Sequence, residues 1–405
     1  MQIHYNQDSI KDIQHRGLVI YTPAVPSDSP VFNYCKQYHL PLFKRSEVLQ
    51  AITMNGFNIC IAGTHGKTTI STLTAHLLKH AGFGCNAFLG GISANYDTNF
   101  WSSDKNVFVI EADEYDRSFL KLSPDIAVIT AMDADHLDIY GTATAVEDAF
   151  IEFSSKIKNH GCLITPTKLK RLQDLKAANK RTYAIQNPES DTNAENIQVL
   201  EHAYAFDVNY RGEKINGFQL NMGGRHNIEN ALAAISIAKY LGMENDKIKD
   251  AIQSFKGVKR RFEFILNHAE NIFIDDYAHH PEELRVLISG VKELYPGKKC
   301  VLVFQPHLYS RTKDLADEFA QALDHADEVI LLPLYPAREK PVEGVNSELI
   351  LHKMDLKNKS VLEKDELITY IRNTTPELLV TAGAGDIDRL LPSIKNVLTT
   401  IKTRK

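Results

Sequence analysis

The chain's 405 residues exceed a single ordinary core and imply two or three domains. With 43% apolar and 24% charged residues it has the balance of a soluble globular protein, and a net charge of −5 without a basic block argues against nucleic acid as its main partner. Five scattered cysteines without a C-x-x-C pair read as reduced thiols, and no signal peptide or bilayer-length apolar run occurs, so a cytosolic location without membrane insertion is expected.

Apolar strand-like runs alternate with helical patterns, which predicts an α/β fold with mostly parallel sheets. In the opening segment, residues 1–55, Gly17–Tyr21 predicts a strand, Ser29–His39 a helix, Pro41–Phe43 a strand and Ser46–Thr53 a helix. This is part of a βαβ sheet, so the chain is expected to start partway into its first domain.

The second segment, residues 56–262, opens with a strand, Ile59–Ala62, that runs into Gly63-Thr64-His65-Gly66-Lys67-Thr68-Thr69 and a helix over Ile70–His80. Strand, glycine turn, Lys-Thr and helix form a phosphate-binding arrangement. Gly63 and Gly66 take backbone angles that a side chain blocks, and the turn's N–H groups face an anion. Lys67 then reaches the β- and γ-phosphates, and Thr68 offers its hydroxyl to Mg²⁺. The full pattern asks for a glycine where Ile61 stands, so this is a shortened variant.

Asn106–Ala112 predicts a strand ending at Glu111, a position where Mg²⁺ is held in sheets that carry a phosphate loop. Asp125–Met132 predicts another, followed by Asp133-Ala134-Asp135-His136, where His136 can bind a metal or a phosphate oxygen. Alternation over residues 196–220 around Arg211-Gly212 predicts a hairpin. His226, Asn227 and Asn230 open a helix over Ile228–Leu241, closed by Gly242. Asn227 is either an N-cap or, with Asn230 one turn on, a nucleotide contact. A helix over Asp246–Phe255 precedes Arg260-Arg261, which alone reads as a solvated pair but at a domain junction can clamp phosphate.

The third segment, residues 263–405, repeats the α/β pattern: a strand at Ile272–Ile274, a helix over Pro281–Tyr295, a strand at Lys299–Phe304, a helix over Lys313–His325, and strands at Glu328–Leu332 and Glu377–Thr381 before a closing helix. Two strand-end loops are dense in polar groups: Asp275-Asp276-Tyr277-Ala278-His279-His280, and Gln305-Pro306-His307-Leu308-Tyr309-Ser310-Arg311. Loops in that position collect binding residues.

Taken in order, Gly63-Thr-x-Gly-Lys-Thr68, Glu111, His136, His226-Asn227-x-x-Asn230, Arg261 and Asp275-Asp276 resemble the Mur ligases, ATP-dependent amide-forming enzymes of peptidoglycan precursor synthesis. Glu111–Phe119, Asp276–Pro281 and Phe304–Thr312 resemble the branch that adds L-alanine to UDP-N-acetylmuramate. The resemblance covers nearly the whole chain. It implies three domains: a partial Rossmann-like UDP domain, a central P-loop ATPase domain and a C-terminal Rossmann-like domain.

By the same resemblance Lys67, Glu111, His136, Arg261, Asp276 and His279 are catalytic, and Thr68, Glu111 and His136 hold metal. Gly63–Thr69, Asn227, Asn230 and Arg261 bind ATP, while Tyr277, His279, His307 and Arg311 take substrate. Two departures stand out. Residues 1–55 supply no glycine-rich loop for the UDP diphosphate, and Phe150 replaces a lysine that several relatives modify to a carbamate, as the alanine-adding branch also does. A tripeptide-recycling ligase, a folate-type polyglutamyl ligase and an ATP-binding fragment without the UDP loop are the rival readings. Arg117-Ser118-Phe119 and the His279 and His307 loops favour the alanine-adding branch.

Overall fold

The computed structural model describes residues 18–22, 25–26, 28–134, 137–268 and 271–400. The chain divides into two compact units: Met1–Lys67, Gly84–Leu89 and Phe100–Thr182 form the first, and Thr68–Phe83, Gly90–Asn99 and Tyr183–Lys405 the second.

In the first unit, strands β1 (Val19–Tyr21) and β2 (Leu42–Lys44) pair in parallel, with helix Pro30–Gln37 between them in sequence and helix Arg45–Thr53 after. There follow β3 (Phe57–Ala62), β4 (Asn86–Ser93, of which residues 86–89 belong to this unit), β5 (Thr98–Trp101, of which Phe100 and Trp101 do), β6 (Val107–Glu111), β7 (Ile126–Ile129) and β8 (Cys162–Pro166). Five of these lie in the order β8-β7-β3-β6-β4, all parallel. Ile59–Ala62 and Ile126–Ile129 are fully buried, as expected of parallel strands covered on both faces. One covering layer comes from helix Ala143–Ser154, capped by Thr142, whose hydroxyl accepts from the Ala145 N–H at 3.2 Å. Its Phe150 and Phe153 pack on Phe119, with ring centroids 5.3 and 4.9 Å away. Phe150 is thus a core residue.

In the second unit, β9 (Asn179–Ile185) contributes Tyr183–Ile185 alongside β10 (Thr192–Leu200), and β11 (Ala203–Tyr210) and β12 (Glu213–Leu220) continue as an antiparallel meander. The expected hairpin turn is present: Arg211 and Gly212 take φ of 52° and 90°, the left-handed pair that such a turn requires. Helix Arg225–Tyr240 follows and ends before Gly242, whose φ of 74° closes it, and then helix Asn245–Ser254.

The last sheet has the order β13-β14-β18-β15-β16-β17, formed by Glu263–His268, Asn271–Asp276, Leu378–Ala382, Cys300–Phe304, Glu328–Leu331 and Lys359–Val361. It is parallel except for β13. The single helix expected over Lys313–His325 is two helices, Tyr309–Asp314 and Ala316–Leu323, broken at Leu315 with φ −117°. The first carries no apolar stripe, so helical periodicity reveals only the second. Helices Ala143–Ser154 and Lys364–Thr374 and strands β4, β5, β8, β9 and β17 extend beyond the sequence reading.

All five cysteines are buried free thiols, which agrees with the reading against disulfides. Among the described residues no helix is long and apolar enough to cross a membrane.

Candidate active site

The phosphate loop leaves the carboxyl end of β3 and is pinned to the end of β7. Thr130 N–H donates to Ala62 O at 3.1 Å, Thr64 N–H to Ala131 O at 3.1 Å, and Asp133 N–H to Thr64 Oγ1 at 3.3 Å. Gly63 and Gly66 have φ of 125° and 78°. A Cβ on Gly63 would fall 2.0 Å from Thr130 Oγ1 and 2.8 Å from the Thr130 nitrogen, so the position demands glycine twice over. His65 is exposed, 3.6 Å from Asp133. Helix Lys67–His80 starts directly at the loop, with Thr68 half-buried and Thr69 buried in its first turn. This geometry suits an anion.

The Lys67 ammonium lies 2.7 Å from Gly63 O and 2.7 Å from Glu114 Oε1. Glu114 is a partner that the motif reading passes over. Its side chain is 1% exposed, and burial raises its pKa against the pull of Lys67. Tyr140 donates to Glu114 O at 2.6 Å. Glu111 closes β6 in register with Ile61 of β3 and lines a narrow cleft with Arg45, Ser46, Asp113 and Ser118. A half-buried carboxylate beside a phosphate loop offers the oxygen chemistry that Mg²⁺ takes. Among the described residues no three His, Cys, Asp or Glu groups cluster as a preformed metal cage, and His136 lies outside the described residues.

Elsewhere in the first unit, an open cavity of ≈ 650 Å³ is lined by Leu18, Leu42, Phe43, Glu47, Val48, Ala51 and Ile52. Its one ionisable lining group is acidic, so this cavity is built for apolar contact rather than for a diphosphate.

In the second unit the sequence-predicted residues fall into two sets. Asn227 is 4% exposed; its Nδ2 donates to Gly223 O at 2.6 Å, and Asn230 Nδ2 donates to Asn227 Oδ1 at 3.0 Å. The N-cap is Gly224, with φ 84°, so Asn227 sits inside the first turn and fastens the loop before the helix. The neighbouring His226 is exposed.

Of the two arginines, Arg260 has the ion-pair partners. Its Nε is 3.2 Å from Asp275 Oδ2, and it also donates to Gly383 O. Arg261 is exposed, its guanidinium 5.8 Å from the Tyr277 ring centroid. Asp276 spends both oxygens on backbone, accepting from Phe262 and Ala278 N–H at 2.7 Å each. Burial pushes Asp275 up to about 7 and Asp276 up to about 6.

Tyr277, His279, His307 and Arg311 are brought together. The rings of Tyr277 and His279 lie 5.2 Å apart, those of His279 and His307 6.3 Å, and Arg311 NH1 is 3.5 Å from His307 Nδ1. Tyr335, missed from sequence, stacks on His307 at 5.8 Å. Burial lowers the pKa of both histidines, chiefly, and the nearby Arg311 adds to it. Neutral imidazoles around a guanidinium can receive a small carboxylate while leaving an adjacent amine able to lose its proton.

With this geometry in view, comparison with known proteins is specific. The Mur ligase middle domain matches residues 61–238, and the Mur ligase glutamate ligase domain matches residues 260–385. The UDP-N-acetylmuramate–L-alanine ligase of Flavobacterium johnsoniae is 44% identical over 381 residues, spanning 94% of this chain and 83% of that protein. The ligase of the same name from Porphyromonas gingivalis is 45% identical over 391 residues, spanning 95% of this chain and 85% of its own length. The crystal structure of the Thermotoga maritima UDP-N-acetylmuramate–alanine ligase superposes with a TM-score of 0.81 at 28% identity, covering 96% of this chain and 86% of that one.

Proposed function

The chain belongs to the Mur ligase family, and from that premise we propose that it joins L-alanine to the carboxylate of UDP-N-acetylmuramate at the expense of ATP. The observation that carries this reading is the 44% identity over 94% of the chain with an alanine-adding ligase.

The chemistry asks for two steps. A carboxylate oxygen attacks the γ-phosphorus and ADP leaves, giving an acyl phosphate. The alanine amine, having lost a proton, then attacks the acyl carbon and phosphate leaves. The first step brings two anions together. Lys67 and the loop N–H groups offset that repulsion where charge develops. Mg²⁺ held by Thr68, Glu111 and His136 would supply Lewis-acid neutralisation there. Gly63, Thr64, His65, Gly66 and Thr69 shape the phosphate cradle. Arg261, Asp276, Asn227 and Asn230 are assigned to nucleotide contact and to the junction that carries it. Asn227 and Asp276 serve by holding backbone, in keeping with their hydrogen bonds. Tyr277, His279, His307 and Arg311 are assigned to the amino-acid substrate. In this partition residues 56–262 activate the carboxylate and residues 263–405 deliver the amine, with residues 1–55 belonging to the sugar-nucleotide domain.

The test is a competition in which the chain receives ATP, Mg²⁺, UDP-N-acetylmuramate and equal L-alanine, D-glutamate and tripeptide, with products read by mass. The alanyl product is expected to dominate. Dominant tripeptide addition would move the assignment to a recycling ligase, and absence of any product with ATP still bound would make the chain a nucleotide-binding protein.

A further inference from the structure

Lys67 and Glu114 form a largely buried ion pair at the phosphate loop. Lys67 is 15% exposed in its side chain and Glu114 is 1% exposed, at a separation of 2.7 Å. Only one carboxylate oxygen of Glu114 is used: among the described residues Oε2 is buried without a hydrogen-bond partner. A buried carboxylate with an idle oxygen is unfavourable, and here the Lys67 charge is what compensates it.

The backbone holds Glu114 inward. Its carbonyl accepts from Tyr140 Oη at 2.6 Å and from Arg117 N–H at 2.9 Å. Two residues on, Asp116 and Arg117 adopt φ of 50° and 61°, two successive left-handed residues that are not glycine. Lys44 Nζ, 3.3 Å from Asp116 Oδ2, and the Ser118 hydroxyl hold that turn. The Arg117 N–H of this strained turn is the one that donates to the Glu114 carbonyl, so the turn ties down the Glu114 backbone.

Resting on the reading of Gly63–Thr69 as a phosphate loop, we propose that Glu114 is a positioning residue: an internal counter-ion that parks the Lys67 ammonium at the loop and that an incoming nucleotide phosphate displaces. The phosphate and the Glu114 carboxylate compete for one cation. Part of the nucleotide's binding energy therefore goes into separating the pair, and in return Lys67 is held extended toward the loop before the nucleotide arrives.

The consequence is a loss of competition when the charge is removed. Glu114→Gln is close to isosteric and keeps a polar group near Lys67. Titrated calorimetrically with Mg-free ADP, this variant is expected to bind roughly tenfold more tightly than the parent, the equivalent of one charge-assisted hydrogen bond no longer broken. In turnover, KM for ATP and kcat are both expected to fall, because the competitor and the orientation are lost together. A merely structural carboxylate would instead weaken binding as the fold loosens.

Glu114→Asp withdraws the charge without deleting it and should shift ADP affinity the same way by less, which keeps the idea testable if Glu114→Gln folds poorly. Lys67→Ala separates the two levels of the argument. If it leaves ADP affinity unchanged, the phosphate-loop reading falls. If it weakens ADP binding while both Glu114 variants bind as the parent does or more weakly, the loop stands and the counter-ion role is wrong.

Discussion

Tyr204 and Glu293 share a 2.6 Å hydrogen bond that joins β11 to the last turn of helix Pro281–Leu294. Arg225 Nε meets the other Glu293 oxygen at 2.7 Å, from the first position of the helix that carries Asn227 and Asn230. The loop bearing Tyr277 and His279 leads into helix Pro281–Leu294, so Glu293 anchors the far end of that helix beside the asparagine helix. Close backbone packing supports the same join, since a Cβ on Gly290 would lie 3.0 Å from Gly224 Cα.

Glu293→Ala should therefore destabilise the second unit. Tyr204 is fully buried and its hydroxyl loses its acceptor, whereas Arg225, half-exposed, regains water. Leaving one buried donor unpaired costs about 1–3 kcal/mol. Adding Tyr204→Phe removes the orphaned group, so the double variant should melt above Glu293→Ala alone. Thermal denaturation checks this, and a Glu293→Ala protein that melts like the parent would show that the contact carries no stability.

The elements that position the site were the more legible ones. β3, β6 and β7 announce themselves as apolar runs ending in glycine or carboxylate, and Arg211-Gly212 announces its hairpin. Pattern alone could not say which carboxylate of Glu111-Ala-Asp-Glu-Tyr-Asp116 turns inward, because period-2 alternation stops where β6 ends. The turn at left-handed Asp116 and Arg117 ties down the backbone of Glu114, the carboxylate that faces Lys67. Arg260 was hidden from its neighbour Arg261 for the same kind of reason. A φ of 62° at Arg260 directs its partners, and composition carries no trace of that angle. Helix Ala143–Ser154 escaped because its first turn is built from Ala, Thr and Val, whose helix propensity is mixed, and tertiary packing of Phe150 and Phe153 supplies the rest.

Gly63→Ala is expected to damage loop and fold together. The new Cβ would meet Thr130 side chain and backbone, and alanine would have to hold φ 125°. Strain and overlap together cost about 2–4 kcal/mol. Gly82→Ala is the matched comparison: its φ is 75° but nothing lies within 4 Å of the added Cβ, so only the backbone term of about 1 kcal/mol applies. Melting temperatures and ADP titration of the two variants should separate clearly. Equal losses would mean that the Thr130 contact does not define the loop.

His76 gives the second unit an acid sensitivity. It is 1% exposed, with Nδ1 3.0 Å from Tyr96 Oη and Nε2 3.0 Å from Ala251 O. A carbonyl only accepts, so Nε2 carries the proton and Nδ1 receives the tyrosine hydroxyl, a neutral ring. Burial lowers the pKa from 6.5 to about 4. The depressed value means that stability is complete above pH 6.5 and is lost as pH falls toward 4, where the unfolded chain takes a proton that the folded chain refuses. The full effect is about 3 kcal/mol. His76→Gln keeps a donor and an acceptor without titrating, so its denaturation midpoint should fall less steeply than the parent's between those pH values. Parallel curves would show that His76 is not the group responsible.

Arg260 and Asp275 carry the opposite sign. The Asp275 side chain is fully buried, and the carboxyl is raised to about 7 by burial, with the Thr381 hydroxyl and Arg260 pulling it down. A carboxyl raised above its unfolded value of 3.8 contributes stability that is whole below that value and is lost as pH rises through about 7. Removing the guanidinium deepens that loss, because the ionised form then has no cation beside it. Arg260→Met keeps the stem and deletes the charge. At pH 8 it should cost about 3–5 kcal/mol, the range for stranding a buried charge, and clearly less at pH 5, where Asp275 can bind a proton instead. Asp275→Asn added to Arg260→Met should recover most of the loss at pH 8 and flatten the pH dependence. Chemical denaturation at the two pH values reads the difference directly. An Arg260→Met penalty of the same size at both would mean that Asp275 never carries the charge that Arg260 was placed to balance.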